Sequence, residues 1–323
     1  MNPQTRYHRL AWAMLAYLGF VILYGAVVRI TGSGAGCGQH WPTCHGEVLH
    51  LPQSVETTIE LTHRLTSGLT LPLALVMAVM AMRRFEKGHL VRRAAWGTVL
   101  FLVIEALIGA RLVLLGLVGL NDSFPRAYWM AAHLTSTCLL TGSAGVMVWG
   151  SSPNRPSGTL RRAFDPTAWS LIGALVIVYV IAATGAITAL GDTLYPVAEG
   201  TSVGATLAAS TNSTAHFLEQ ARSIHPILAV VGGLWVLQVG VAIPGRYTSD
   251  RCRRLGNLLA GLVVAQVAAG GINIYLDAPG WLQVIHLALA CSVWLALVFL
   301  TLEVLALGPA TGRVAAPPTA QTP

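Results

Sequence analysis

Four histidines stand where imidazole chemistry is costly. Of the ten in the chain, His63, His133, His225 and His286 fall inside long apolar runs. An ionisable group at membrane depth turns toward a bundle interior, a partner or a cofactor. One such histidine would be explained by a hydrogen bond to a neighbouring helix. Four at matched depth, on the second, fourth, sixth and eighth runs, ask for a shared ligand type. Zinc usually takes three or four ligands, and neither pair has a third at its depth. A haem takes one or two axial imidazoles and an apolar slot of bundle width. His63 with His133, and His225 with His286, are therefore read as two iron-ligating pairs. Arg29, Arg64 and Arg222 lie at the same ends of the runs and suit haem propionates; the ordinary alternative is snorkelling to the interface.

A single acid distinguishes the pairs. In Glu60-Leu61-Thr62-His63-Arg64 the carboxylate lies one helical turn before the histidine, where it can act as acid, base or nucleophile. Arg222 has the equivalent spacing before His225. Favourable placement at a helix start is the plainer reading of Glu60. Upstream, Cys37 and Cys44 sit in a loop on the outer side, where a disulfide is the expectation. His40 and His45 leave a small metal site as the alternative. Cys138 and Cys291 read as small packing residues and Cys252 as an inner-side thiol.

The elements that must hold these residues follow from composition. The 323 residues are 54% hydrophobic and 10% charged, with a mean hydropathy of +0.63, against about 25% charged in a soluble domain. Windows of about 20 apolar residues recur at roughly 10–30, 58–82, 93–117, 126–149, 167–190, 221–243, 254–276 and 281–306, giving eight transmembrane helices. The first run is too long for a signal-peptide core and is read as a retained span. Five of the 20 basic residues, Arg29, Arg64, Arg111, Arg126 and Arg222, lie near one set of ends; the other 15, Arg161, Arg162 and Arg313 among them, lie at the opposite set. This bias makes both termini cytoplasmic. The +7 net charge is thus topological, and a nucleic-acid partner is excluded because the basic residues fall between apolar runs.

The chain also repeats. Thr31-Gly32 matches Thr184-Gly185, Glu105 with Gly109 matches Gln266 with Gly270, and His133 with Cys138 matches His286 with Cys291. The expected fold is an all-α integral membrane protein of two tandem four-helix bundles, related by a pseudo-two-fold axis along the membrane normal. Residues 1–150 form the first bundle, 151–166 a cytoplasmic linker, 167–307 the second bundle, and 308–323 a disordered tail.

The run Val28-Arg29, Thr31-Gly32-Ser33-Gly34, Cys37, Trp41-Pro42 and Cys44, followed by Glu60-x-x-His63-Arg64 and single histidines on helices 4, 6 and 8, resembles haem A synthase over nearly the whole chain. The resemblance implies a bacterial plasma-membrane oxidoreductase that converts the C8 methyl group of haem O to the formyl group of haem A for terminal oxidases. It implies haem b as cofactor on His225 and His286, substrate haem O near His63 and His133, and Glu60 as the catalytic residue. Haem O synthase and a membrane electron acceptor are the implied partners. The chain departs from the family pattern in two places. No second cysteine pair occurs between Gly191 and Gln220, and Glu105 stands where the family commonly has glutamine. Glu105 would be protonated and mimic the amide, or relay protons. The alternatives are a dihaem b-type electron-transfer cytochrome linked to quinone, and a haem transporter or chaperone.

Overall fold

The computed structural model describes residues 2–155, 160, 165–198, 200–247 and 249–307. The expected tail with Arg313, and part of the linker with Arg161 and Arg162, lie outside these residues. The helices are α1 (Pro3–Ile30), α2 (Val55–Arg84), α3 (Leu90–Leu114), α4 (Phe124–Ser151), α5 (Pro166–Leu194), α6 (Val203–Ser210), α7 (Phe217–Ala242), α8 (Asp250–Tyr275) and α9 (Gly280–Leu307). All but α6 are long and apolar enough to cross a membrane, and these eight coincide with the eight expected spans. The described residues contain no strand, only an isolated bridge between Cys44 and Glu47. The short α6 has no counterpart in the sequence expectation. It begins at Ser202, whose side chain accepts from Ala205 N at 3.2 Å.

Local chemistry starts the long helices. Ser54, Asp165 and Ser249 accept backbone N–H groups of Thr57, Ala168 and Cys252 at 3.1, 2.8 and 3.2 Å, each cap contributing about 1 kcal/mol. Proline stands in the first turn of α1, α4 and α5, where its missing N–H costs nothing. His216 and Glu219 form a reciprocal cap at the start of α7.

Side chains from α1 to α4, such as Leu18, Ala78, Ala95 and Met147, bury together in one cluster. Those from α5, α7, α8 and α9, such as Leu171, Val236, Leu259 and Leu297, form another. Trp149 on α4 and Trp294 on α9 share a third. Between apolar helices in lipid, association rests on close packing rather than on release of water, and small residues allow it. A Cβ on Gly173 would lie 2.6 Å from Trp235, and one on Gly232 2.7 Å from Ile177, so α5 and α7 meet closely at these glycines. A Cβ on Gly256 would fall on Gly240 O and Pro244, and α7 meets α8 there backbone to backbone. Leu69, Leu100, Leu107, Val231 and Val264 stay largely exposed, as a lipid-facing surface requires.

Candidate functional site

His63, His133, His225 and His286 all fall within the first ten residues of α2, α4, α7 and α9. The tertiary structure brings them together in two pairs. His63 and His133 lie within electrostatic range of each other, as do His225 and His286. Three of the rings lie against a glycine on the helix before. A Cβ would come within 3.2 Å of His63 Cε1 at Gly25, 2.9 Å of His225 Cε1 at Gly185, and 3.2 Å of His286 Cε1 at Gly270. At Gly109, on the helix before His133, a Cβ would meet nothing within 4 Å.

This pairing corrects one repeat match. The counterpart of Gly185 is Gly25, not Gly32, which sits just beyond α1 in a left-handed conformation at φ +68°. Gly185 lies inside α5, which runs on to Leu194. A slip of two helical turns returns to almost the same helix face, so sequence spacing alone reads either register.

Each ring has its own neighbour. Glu105 Oε2 lies 2.6 Å from His133 Nδ1, and Thr137 Oγ1 donates to Glu105 Oε1 at 3.2 Å. Gln266 Nε2 lies 3.2 Å from His286 Nε2. The acid and the amide that match in sequence therefore each address the histidine of the following helix. Thr184 Oγ1 is 3.1 Å from His225 Nδ1, whereas His63 stacks on Tyr24 with centroids 6.1 Å apart. Nδ1 of His63 and of His286 is buried without a hydrogen-bond partner in the structure.

Glu60 is buried and holds two structures at once. Its Oε2 accepts Cys37 N at 2.8 Å, while Oε1 accepts Arg64 Nε at 3.0 Å and Arg64 Nη2. Arg64 Nη1 donates to His40 O and Thr43 O, both at 2.6 Å. The Cys37–Cys44 disulfide is formed, as expected, and its loop is clamped onto α2 by the Glu60–Arg64 pair. Gly36 makes this contact possible, since a Cβ there would lie 2.6 Å from the Glu56 carbonyl.

The other two arginines are equally engaged. Arg29 donates to Ala189 O at 2.6 Å, Thr193 Oγ1 at 2.5 Å and Gln283 Oε1 at 2.8 Å, joining α1 to α5 and α9. Arg222 Nε donates to Asp192 Oδ1 at 2.7 Å, and its Nη2 to Tyr195 O. Asp192 is an acid in the second half that the sequence reading did not single out; it pairs with Arg222. The second acid comes from α5, 30 residues from Arg222, and no local spacing announces it. A further cluster was also missed: Asp122, before α4, accepts the Tyr195 hydroxyl at 2.5 Å, and Tyr195 stacks on His216 with centroids 5.0 Å apart.

Ile181, Thr184, Gly185 and Thr188 on α5, and Gln283 to His286 on α9, are mostly half-buried, whereas Leu171, Leu259, Leu297 and Leu300 toward the other end are fully buried. The His133 side chain is 33% accessible. Paired histidines, flanking glycines and buried lone pairs can together hold a flat metal-bearing ligand.

Comparison with known proteins agrees with this architecture. The profile of the COX15-CtaA family, described as cytochrome oxidase assembly protein, matches residues 8–298. A protein of Thermus thermophilus named protoheme IX farnesyltransferase is 43% identical over 302 residues, covering 92% of this chain and 48% of that protein. The heme A synthase of Halalkalibacterium halodurans is 27% identical over 268 residues, covering 79% of this chain and 82% of the other. That of Shouchella clausii is 38% identical over 96 residues, 30% of this chain and 32% of the other. The chain spans about half the length of the Thermus relatives it matches. With eight apolar helices and a family match across residues 8–298, the chain belongs to the COX15-CtaA family of cytochrome oxidase assembly proteins.

Proposed function

We propose that this protein is a haem A synthase, a haem-dependent oxidoreductase that converts the C8 methyl group of haem O to a formyl group. The observation that carries the reading is that His63 and His133, and likewise His225 and His286, lie within electrostatic range of each other, each in the first ten residues of its helix. The residues fit a haem. Two buried histidine nitrogens lack partners, and glycines bring the neighbouring helix against three of the rings.

In this reading residues 1–150 form the catalytic bundle, 151–166 the linker and 167–307 the cofactor bundle, related by a pseudo-two-fold axis. His225 and His286 hold haem b, which supplies one-electron redox chemistry when bound. His63 and His133 hold the substrate haem O. The reaction removes four electrons and four protons from the methyl group and one water, and the water supplies the formyl oxygen. Glu60, one turn before His63, is the acid, base or nucleophile beside the reacting carbon. Its bonds to Arg64 and Cys37 N fix its position, as such a role requires. Arg29, Arg64 and Arg222 are the candidate cations for propionates, each of them also bonded to acceptors of the protein itself.

The protein sits in a bacterial plasma membrane with both termini cytoplasmic, following the bias of its basic residues. An electron acceptor in that membrane receives the electrons. The Thermus relatives support a second partner. Their name describes farnesyl transfer to protohaem IX, and this chain aligns with only 48% of their length. An enzyme that makes the farnesylated haem is the natural supplier of so apolar a substrate.

The Asp192–Arg222 pair makes the two halves more alike, and this favours, as a second reading, a dihaem electron carrier. One experiment separates the readings. Protein purified from cells supplied with haem O is extracted, and the haems are identified by mass. The formyl derivative is expected for the synthase; recovery of unaltered haem alone overturns it.

A further inference from the structure

The loop between α1 and α2 holds a second group of histidines, distant in role from those at membrane depth. Cys44 and Glu47 are bridged by paired backbone bonds of 3.1 and 2.9 Å, and His45 N donates to Cys37 O at 3.1 Å. Between them His45 and Gly46 both take positive φ, +52° and +85°, the pattern of a primed hairpin turn usually given to Asn-Gly. A histidine at such a position costs about 1 kcal/mol in backbone strain, and the turn itself gains nothing from an imidazole.

The side chains suggest what that imidazole does. His45 and His50 have ring centroids 4.8 Å apart. One nitrogen of each ring is already committed: His45 Nε2 to Gly36 O at 2.9 Å, and His50 Nδ1 to Glu47 Oε2 at 2.8 Å. The tautomers those partners select carry the proton there and leave His45 Nδ1 and His50 Nε2 as bare lone pairs. A carbonyl or a carboxylate behind the ring is how proteins orient metal-binding histidines. The ligand atoms of Cys44, His45 and His50 lie within 4.8 Å of one another, but Cys44 Sγ is spent in the disulfide to Cys37.

We propose that this loop is a redox-gated zinc site, in which reduction of the Cys37–Cys44 disulfide frees Cys44 to bind Zn2+ together with His45 and His50. An external dithiol supplies two electrons and two protons and becomes a disulfide itself. The Cys37–Cys44 bond breaks, two thiols form, and Cys44 releases its proton as the thiolate meets the metal. Two imidazoles and a thiolate are a zinc-type donor set. Glu47 is a positioning residue acting through His50. Because Cys37 N also holds Glu60, the metal-binding loop is joined directly to the proposed catalytic carboxylate.

The test uses the full chain in detergent with Co2+ as the spectroscopic probe. Wild-type protein treated with a phosphine reductant should bind one equivalent and show near-ultraviolet thiolate-to-cobalt absorption, absent from the oxidised protein. Cys37→Ser leaves Cys44 free without any reductant and should show the same band. Adding Glu47→Gln to Cys37→Ser should weaken binding about 10–100-fold, and adding His45→Ala and His50→Ala should abolish the band. The proposal is overturned if neither reduced wild type nor Cys37→Ser develops the band. Persistence of the band after both histidines are removed overturns it equally.

Discussion

Arg29 near the end of α1 donates to Gln283 near the start of α9, 2.8 Å away and 254 positions along the chain. The same guanidinium reaches Thr193 Oγ1 and Ala189 O on α5. One side chain thus ties the first helix to two helices of the C-terminal half, beside the turn of α9 that carries His286. Its planar fork serves several acceptors at once, which an ammonium does not.

Replacing Arg29 with alanine should therefore destabilise the protein by about 2–4 kcal/mol, since bonds to a charged donor are lost and buried acceptors are left unpaired. Arg29→Lys should recover only a minor part of this. Thermal unfolding in detergent measures it; a lysine variant as stable as wild type would show that charge alone matters.

Glu60→Gln loses the ion pair to Arg64 but keeps an oxygen for Cys37 N, and Arg64 keeps His40 O and Thr43 O, so the loop should stay docked. Bound haem should be retained while haem A formation falls about 10²-fold or more, the range for a lost proton-transferring group. Unchanged haem A output would remove Glu60 from the chemistry, and loss of all haem would make its role structural.

A methyl group added at Gly185 would stand 2.9 Å from His225 Cε1, whereas one at Gly109 meets open space. Gly185→Ala should displace that ring and lower the haem content of the purified protein, with Gly109→Ala unaffected. Haem per chain, from the pyridine haemochrome spectrum, decides it. Equal content in the two variants would mean that His225 holds no haem.

The contact between Asp122 and Tyr195 should respond to pH at both extremes. The Tyr195 hydroxyl donating to Asp122 holds the carboxyl below its ordinary value and, by the same bond, raises the phenol above its own. The carboxylate's contribution is complete above the usual aspartate range near 3.8 and is lost as pH falls through the lowered folded value. The phenol's contribution is complete below the usual tyrosine value of 10.0 and is lost as pH rises through the raised one. The tie is therefore intact across neutral pH. Tyr195→Phe should flatten both limbs of a stability-against-pH curve; a variant curve that follows wild type at both extremes would show that the contact contributes nothing.

The eight spans were legible because membrane helices announce themselves by length and apolarity, and a helix satisfies its backbone within a single segment. The Cys37–Cys44 disulfide was legible from two cysteines in the one short loop between α1 and α2. The match of Glu105 with Gln266 was legible, because an acid or amide four residues before a glycine survives as a pattern along a single helix, and each meets the histidine of the following helix. What lay beyond the sequence was every contact set by how helices are placed side by side. Gly25 rather than Gly32 meets His63, and only the helix packing fixes that register. Asp192 reaches Arg222 across 30 residues, and Arg29 reaches Gln283 across 254. Spacing along one helix fixes which residues share a face, whereas the partner of that face is chosen by close packing between helices that are all comparably apolar.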